Sequence, residues 1–106
     1  MENVIKNKIQ EIALHYGTAA QMCKTVEELA ELTAEIQRYN LFSFAPFKMV
    51  DEKKYTEQVQ KIIEETADVE IMLDQIKFLL GIGEDVEQMK FKKIYRQLER
   101  MAGESK

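Results

Sequence analysis

Apolar residues recur every three or four positions along four stretches of this chain, and that spacing predicts four amphipathic helices. The stretches run from about residue 3 to 16, 19 to 40, 51 to 80 and 84 to 103. Straight-chain helix-forming residues are plentiful, whereas the 106 residues include only four glycines and one proline. We therefore predict an all-α fold, a four-helix bundle-like arrangement whose first and last helices pack partly against another subunit.

Breaks in the periodicity mark the predicted helix ends. Gly17 interrupts the first stretch, and Thr18 after it is a suitable N-cap for the second. Residues 41–50 lack the periodic pattern, and Pro46 disfavours a helix at that point. Gly81 is placed to end the third helix in a left-handed conformation. The connections are therefore predicted to be short, apart from the one that contains the proline.

Composition is typical of soluble globular proteins. Hydrophobic residues make up 45% of the sequence and charged residues 32%, and residues 1–106 suffice for a single domain with one modest core. No apolar run approaches the roughly 18 residues that span a bilayer, and the first residues lack a secretory signal pattern. The only cysteine, Cys23, cannot form an intramolecular disulfide, which is typical of a reducing compartment. We expect a cytoplasmic protein that binds neither a membrane nor, given its net charge of −4, nucleic acid.

Two acidic pairs lie within the second and third predicted helices. Glu28 and Glu31 are three residues apart, as are Glu65 and Asp68, so each pair projects from one side of its helix. Like charges at this spacing repel by roughly 0.2–0.5 kcal/mol on an exposed helix. If the two pairs face each other, four carboxylates form a cage that a cation would stabilise, and oxygen-only ligands suit Mg²⁺ or Mn²⁺. The alternative is that each pair belongs to a solvated helix face.

The order and spacing of these acids resemble the signature of a known enzyme family. Residues 27–31 read Glu-Glu-Leu-Ala-Glu, and residues 65–68 read Glu-Thr-Ala-Asp. In this order they look like the two motifs of the MazG-like all-α nucleoside triphosphate pyrophosphohydrolases, a group related to the dimeric all-α dUTPases. Residues 68–75 also resemble the helix of the family's second motif, and residues 93–100 resemble the basic closing helix of its small members.

The resemblance implies a Mg²⁺-dependent enzyme that cleaves a nucleoside triphosphate between its α- and β-phosphates, releasing a monophosphate and pyrophosphate. Mn²⁺ is an alternative ion. Carried over position by position, the metal ligands are Glu28, Glu31, Glu65 and Asp68. Glu27 is the remaining family acid, expected to support the ligands or to help orient the attacking water, so Glu27 and Glu28 are the predicted catalytic residues. The resemblance also implies a homodimer or homotetramer, with helices that complete a bundle across the interface.

A basic stripe in the last predicted helix is a second candidate site. Lys93, Arg96 and Arg100 are three and four residues apart and therefore share one face. Arginine binds phosphate oxygens through a planar fork of donors, and lysine acts as a point charge. The stripe is interpreted either as the binding site of the β- and γ-phosphates, including across a subunit boundary, or as a salt-bridged helix end. Tyr95 stands where the family's closing helix often has Asn, so it is a candidate nucleotide contact.

The segment between the two acidic motifs is longer than is usual in this family, with 33 residues between Glu31 and Glu65. Its Phe42, Phe44 and Phe47 either stack on a base or pack a loop onto the bundle, and we favour the packing role. This segment cannot be mapped from the family, so the base and sugar preference stays open.

Two other functional classes compete with the hydrolase. A di-iron carboxylate protein in a helical bundle needs Glu-x-x-His pairs, and the only histidine, His15, belongs to none. A catalytically degenerate helical module that binds nucleotide or another protein is the remaining alternative. The complete set of acids favours the enzyme over this module.

Overall fold

The computed structural model describes residues 2–43 and 52–104, which form four α-helices. Helix α1 spans Glu2–Tyr16, and α2 spans Thr18–Ser43. Helix α3 spans Glu52–Leu80, and α4 spans Gly83–Glu104. No strand occurs within these two ranges, so the predicted all-α fold is confirmed. Helix α2 extends about one turn beyond its predicted end, while the effect predicted for Pro46 lies outside the described residues.

The connection between α1 and α2 is a single glycine. Gly17 has a φ of 86°, a left-handed conformation that residues with a Cβ rarely adopt. Its amide donates to the carbonyl of Ala13 at 2.9 Å, and its own carbonyl accepts from the amide of Gln21 at 3.1 Å. Gly17 therefore ends α1 and also occupies the N-cap position of α2, whereas Thr18 is the first residue inside the helix. The prediction of Thr18 as the N-cap was wrong by one residue.

The connection between α3 and α4 also depends on a glycine. Gly81 has a φ of 66° and donates to the carbonyl of Phe78 at 3.2 Å, while the amide of Ile82 donates to the carbonyl of Lys77 at 3.0 Å. These two bonds form a Schellman motif, which confirms the predicted left-handed end of the third helix. The carbonyl of Ile82 then accepts from the amide of Val86 at 3.0 Å, so α4 begins at once.

The described helices do not form a four-helix bundle within one chain. Helices α2 and α3 pack against each other along much of their length, and α1 packs against both. Helix α4 contacts α3 alone and contains no buried residue. Helices α1, α2 and α3 thus form a packed three-helix unit, and α4 lies largely outside it. The predicted contribution of another subunit is not visible in a single chain.

The interior of the three-helix unit is unusually polar. Its buried apolar side chains among the described residues are Ala13, Val69 and Met72. Buried polar side chains outnumber them, and they are Gln21, Thr25, Glu28, Gln58 and Gln75. Because buried polar groups are normally hydrogen-bonded, we expect each of these side chains to have a partner in the chain or in a ligand. No helix in the described ranges is long and apolar enough to cross a membrane.

Candidate metal centre

Three of the four predicted metal ligands come together where α2 packs on α3. Glu28 and Glu31 lie one turn apart on α2, and Glu65 lies opposite them on α3. One carboxylate oxygen from each of the three lies within 4.8 Å of the others. Glu28 retains only 6% of its exposure, Glu65 is partly buried and Glu31 is exposed, so the three acids extend from the interior of the contact to its surface. We call Glu28, Glu31 and Glu65 the acidic cluster.

Two oxygens of the acidic cluster lack a hydrogen-bond partner. The Oε2 atoms of Glu28 and Glu65 are both buried, and neither has a donor within the described part of the chain. A buried polar atom left without a partner costs about 1–3 kcal/mol, and more when it is charged. A cation between the two helices would remove this cost. The cluster therefore fits a hard cation that prefers oxygen ligands.

A neighbouring acid shows how a carboxylate at the same contact can be satisfied. Glu35 lies one turn beyond Glu31 on α2 and forms an ion pair with Arg38. From α3, the Nε2 atom of Gln58 donates at 2.8 Å to both the Oε2 atom and the backbone carbonyl of Glu35. The ion pair with Arg38 thus compensates the charge of Glu35, and the hydrogen bonds from Gln58 hold it in place. In the acidic cluster, Lys24 lies 3.2 Å from the Oε1 atom of Glu28, but the Oε2 atoms of Glu28 and Glu65 have no such partner among the described residues.

Electrostatics within the cluster favour a proton or a metal ion on Glu65. Burial raises the pKa of the Glu65 carboxyl above its ordinary value of 4.5. A hydrogen bond with Glu31 and the negative charges of Glu31, Asp68 and Glu28 raise this pKa further. A divalent cation would reverse the effect, because it stabilises the ionised form.

Asp68 and Glu27, the other two predicted acids, lie at the rim of the cluster. Both are exposed. Asp68 acts on Glu65 through its charge but is not one of the three residues whose oxygens converge. The Oε2 atom of Glu27 lies 3.6 Å from the Nζ atom of Lys24. The roles predicted for Asp68 as a ligand and for Glu27 as a catalytic acid thus remain predictions.

Lys24 is a candidate functional residue that the sequence reasoning missed. Its Nζ atom lies 3.2 Å from the Oε1 atom of Glu28, so it is the cation beside the acidic cluster. The hydrogen bond to Glu28 and the charges of Glu28, Glu27 and Glu31 raise the pKa of the ammonium group, while burial acts in the opposite direction. Lys24 precedes Glu27 by three residues and Glu28 by four, and this helical spacing could have identified the lysine from the sequence.

The predicted phosphate-binding residues lie away from the acidic cluster and Lys24. Lys93, Arg96 and Arg100 are exposed on α4, a helix that makes no contact with α2. Tyr95 is likewise exposed, and its ring packs 4.6 Å from that of Phe91 on the same helix. Within one chain, the acids and the basic stripe therefore belong to separate surfaces.

The aromatic segment is described only in part. The ring of Phe42 lies 5.6 Å from that of Tyr55, and the ring of Tyr39 lies 5.9 Å from the same tyrosine, both in edge-on geometry. These contacts join the end of α2 to the start of α3, in agreement with the packing role that we favoured for Phe42. Phe44 and Phe47 lie outside the described residues.

Comparisons of this chain with protein-family models, with curated proteins and with solved structures returned no significant match. The resemblance to the MazG-like enzymes therefore rests on sequence motifs alone, and membership of that family stays a prediction. What the chain can do has to be inferred from the site itself.

Proposed function

We propose that this chain is a Mg²⁺-dependent nucleoside triphosphate pyrophosphohydrolase, which cleaves its substrate between the α- and β-phosphates. The products are a nucleoside monophosphate and pyrophosphate. The observation that carries the proposal is the pair of buried, unpartnered carboxylate oxygens, one on α2 and one on α3, within a cluster of three acids. Their order along the chain, Glu-Glu-x-x-Glu before Glu-x-x-Asp, supports the same conclusion.

The acidic cluster would hold the ion. Glu28, Glu31 and Glu65 offer converging oxygens, and Asp68 is one turn from Glu65 at the rim. Mg²⁺ prefers such carboxylate oxygens and retains several waters, and Mn²⁺ accepts the same ligands. When bound, the ion supplies charge neutralisation for phosphate oxygens and polarises the attacked phosphorus.

Glu27 and Lys24, at the rim of the cluster, would act on the attacking water and on the phosphate oxygens. The exposed Glu27 carboxylate can accept a proton from water as the new phosphorus–oxygen bond forms and the bridging bond breaks. Lys24, held between Glu27 and Glu28, offers a positive charge to phosphate oxygens at the same place. No nucleophilic side chain is needed, because water is the attacking group.

We also propose that the active form is a homodimer or homotetramer in which α4 packs against a second copy. Phe91, Ile94 and Leu98 are 64%, 56% and 51% exposed, and their spacing of three and four places them on one stripe. The accessible surface of the chain is 8733 Å², against roughly 6100 Å² for a compact monomer of this mass. The difference exceeds the roughly 800 Å² per partner that a standard interface buries.

Charge favours a second copy as the occupant. The apolar residues Phe91, Ile94 and Leu98 on α4 are flanked by the basic stripe. The contact of α2 with α3 carries the acidic cluster, with Glu27 and Asp68 at its rim. A partner's α4 would bring these cations to the phosphates that the acids bind through a metal ion. The predicted phosphate-binding role of the basic stripe is therefore proposed across the subunit boundary.

Product analysis tests the reaction. A panel of ribo- and deoxyribonucleoside triphosphates is incubated with Mg²⁺, and the products are separated by chromatography. We expect monophosphate and pyrophosphate from the wild type, and a loss of at least about 100-fold in rate when Glu28→Gln is combined with Asp68→Asn. Glu11→Gln, an exposed change on α1, is the matched control and should retain full activity.

Two results would contradict the proposed reaction. One is release of inorganic phosphate as the only product, since that requires cleavage of the terminal phosphate. The other is full activity of the double variant. Tight binding of nucleotide or of another protein, without any turnover in Mg²⁺ or Mn²⁺, would favour the degenerate binding module instead.

A further inference from the structure

A cavity lies beside Lys24 and Glu27, next to the end of α1. It has a volume of about 550 Å³ and lies between the end of α1, the start of α2 and the middle of α3. Lys24 and Glu27 line one side of it, so the cavity borders the rim of the proposed phosphate site. Its volume falls within the range of roughly 300–1000 Å³ that is typical of small-molecule sites. A nucleoside whose phosphates reach the metal would have its base and sugar in a space of this size.

Two buried glutamines line this cavity. Gln21 on α2 and Gln75 on α3 are 6% and 2% exposed. The Nε2 atom of Gln21 donates to the Oε1 atom of Gln75 at 2.7 Å, which joins the two helices. Other walls of the cavity are apolar or aromatic and include Ile12, Tyr16 and Ile71. The cavity thus combines two buried amides with apolar and aromatic surfaces that suit the faces of a ring.

The hydrogen-bonding capacity of the glutamine pair is not used up. A glutamine amide carries two N–H donors and two acceptor lone pairs. The Nε2 atom of Gln75 makes its one contact within the described residues with the Sδ atom of Met72 at 3.8 Å, and a thioether is a weak acceptor. A buried amide without an oxygen or nitrogen acceptor is costly unless a ligand supplies one.

We infer that this cavity binds the nucleobase of the substrate, with Gln21 and Gln75 as the residues that contact its edge. A nucleobase edge has adjacent donors and acceptors in the plane of the ring, which an amide side chain can match. The faces of the ring would then lie against the apolar walls. This inference rests on the proposed function, because the triphosphate would extend from the cavity past Lys24 to the acidic cluster.

Binding of nucleosides without metal tests the base site separately from catalysis. NMR spectra of the wild-type chain are recorded while uridine, cytidine, adenosine or guanosine is added. We expect at least one nucleoside to shift the side-chain amide signals of Gln21 and Gln75. Tripolyphosphate with Mg²⁺ serves as the phosphate-only probe, and it should shift signals of the acidic cluster but leave the two glutamine amides unchanged.

A matched pair of variants then separates recognition from packing. Gln75→Met keeps the length of the side chain but removes its donors and the oxygen that accepts from Gln21, and it should weaken nucleoside binding by at least about tenfold, as expected for one or more lost hydrogen bonds. Binding of Mg²⁺ and tripolyphosphate should not change. Gln58→Met is the control, because Gln58 is equally buried on α3 but bonds to Glu35 away from the cavity.

The outcomes distinguish the base site from the proposed reaction. If no nucleoside shifts the glutamine amides of the wild type, the base site is refuted even when pyrophosphate is released from triphosphates. Equal nucleoside binding by Gln75→Met and the wild type would also refute it. Nucleoside binding that shifts both amides, without turnover of any triphosphate, would support the base site and contradict the hydrolase. The wild-type spectra decide the matter even if Gln75→Met fails to fold.

Discussion

Glu28, Glu35 and Glu65 are carboxylates at the same contact between α2 and α3, yet they differ in how their charge is compensated. Glu35 is paired with Arg38 and accepts a hydrogen bond from Gln58, and Glu28 is paired with Lys24 through its Oε1 atom. Glu28 and Glu65 each retain a buried oxygen without a donor. Since a chain that needed these acids only for packing would be expected to satisfy them as it satisfies Glu35, the difference favours a ligand from outside the chain.

The raised pKa of Glu65 predicts a specific dependence of stability on pH. Its pKa is higher in the folded chain than the ordinary value of 4.5, so between these two values the folded state binds more protons than the unfolded state. The free energy of unfolding should therefore fall as the pH rises from about 4.5 through the raised pKa. Urea unfolding of the wild type and of Glu65→Gln over pH 4 to 8 measures the effect as a difference between the two proteins.

Mg²⁺ provides the control for this pH experiment. Bound metal favours ionised Glu65, so the wild type should lose the decline in stability when Mg²⁺ is present. Glu65→Gln should respond to Mg²⁺ much less. If the difference between wild type and variant stays constant over this pH range without metal, the assignment of a raised pKa to Glu65 is wrong.

Local spacing predicts some of these residues but not their surroundings. The three-residue spacing of Glu28 and Glu31 indicates a shared helix face, and that part of the prediction agrees with the structure. The pairing of Gln21 with Gln75 joins residues 54 positions apart, so helical periodicity carries no information about it. In the sequence, nothing distinguishes Gln21 and Gln75 from exposed polar residues.

At the scale of the elements, the two glycine turns decide where α1 and α3 end. Gly17 has a positive φ, but a Cβ added there would meet no atom within 4 Å. Gly17→Ala should therefore destabilise the fold through backbone strain alone, by about 1–2 kcal/mol in urea unfolding. Gly103 lies inside α4 without a positive φ, so Gly103→Ala is the control and should be neutral or slightly stabilising. Equal stability of Gly17→Ala and the wild type would show that the turn can be made without glycine.

The helices themselves were predictable because each has a regular apolar period, although α2 extends about one turn beyond its predicted end. What covers each apolar face was not predictable. Helix α4 has as regular a stripe as the others, yet it contacts α3 alone and buries none of its residues. Periodicity shows that a face needs a partner but does not identify the partner. For the same reason, the sequence could not show that the basic stripe and the acidic cluster would lie on separate surfaces.

At the scale of the whole molecule, the exposed α4 predicts assembly. Most of the stability of a helix in a protein comes from packing of its apolar face, and α4 buries none of its 22 residues, so we expect it to pack against a further surface. Replacing Ile94 and Leu98 together by Glu should convert the proposed oligomer to a monomer of 12.4 kDa and reduce helix content. Light scattering after size exclusion measures the mass, and circular dichroism measures the helix content.

The control for assembly is Glu99→Ala, an exposed change on α4 outside the stripe. It should leave the mass of the oligomer unchanged. A wild-type protein that is monomeric at high concentration would contradict the assembly, and so would a double variant with the wild-type mass. Neither result would bear on the acidic cluster, which a single chain forms by itself.

The proposed function depends on a divalent cation held by the acidic cluster. Calorimetric titration with Mn²⁺ in the absence of nucleotide tests it most directly, with the wild type compared with Glu28→Gln, Glu65→Gln and the control Glu11→Gln. We predict that the wild type and the control bind Mn²⁺ alike, while each cluster variant binds at least about tenfold more weakly, because affinity depends on the number of charged ligands. Equal binding by all four proteins, or no binding by the wild type, would contradict the claim.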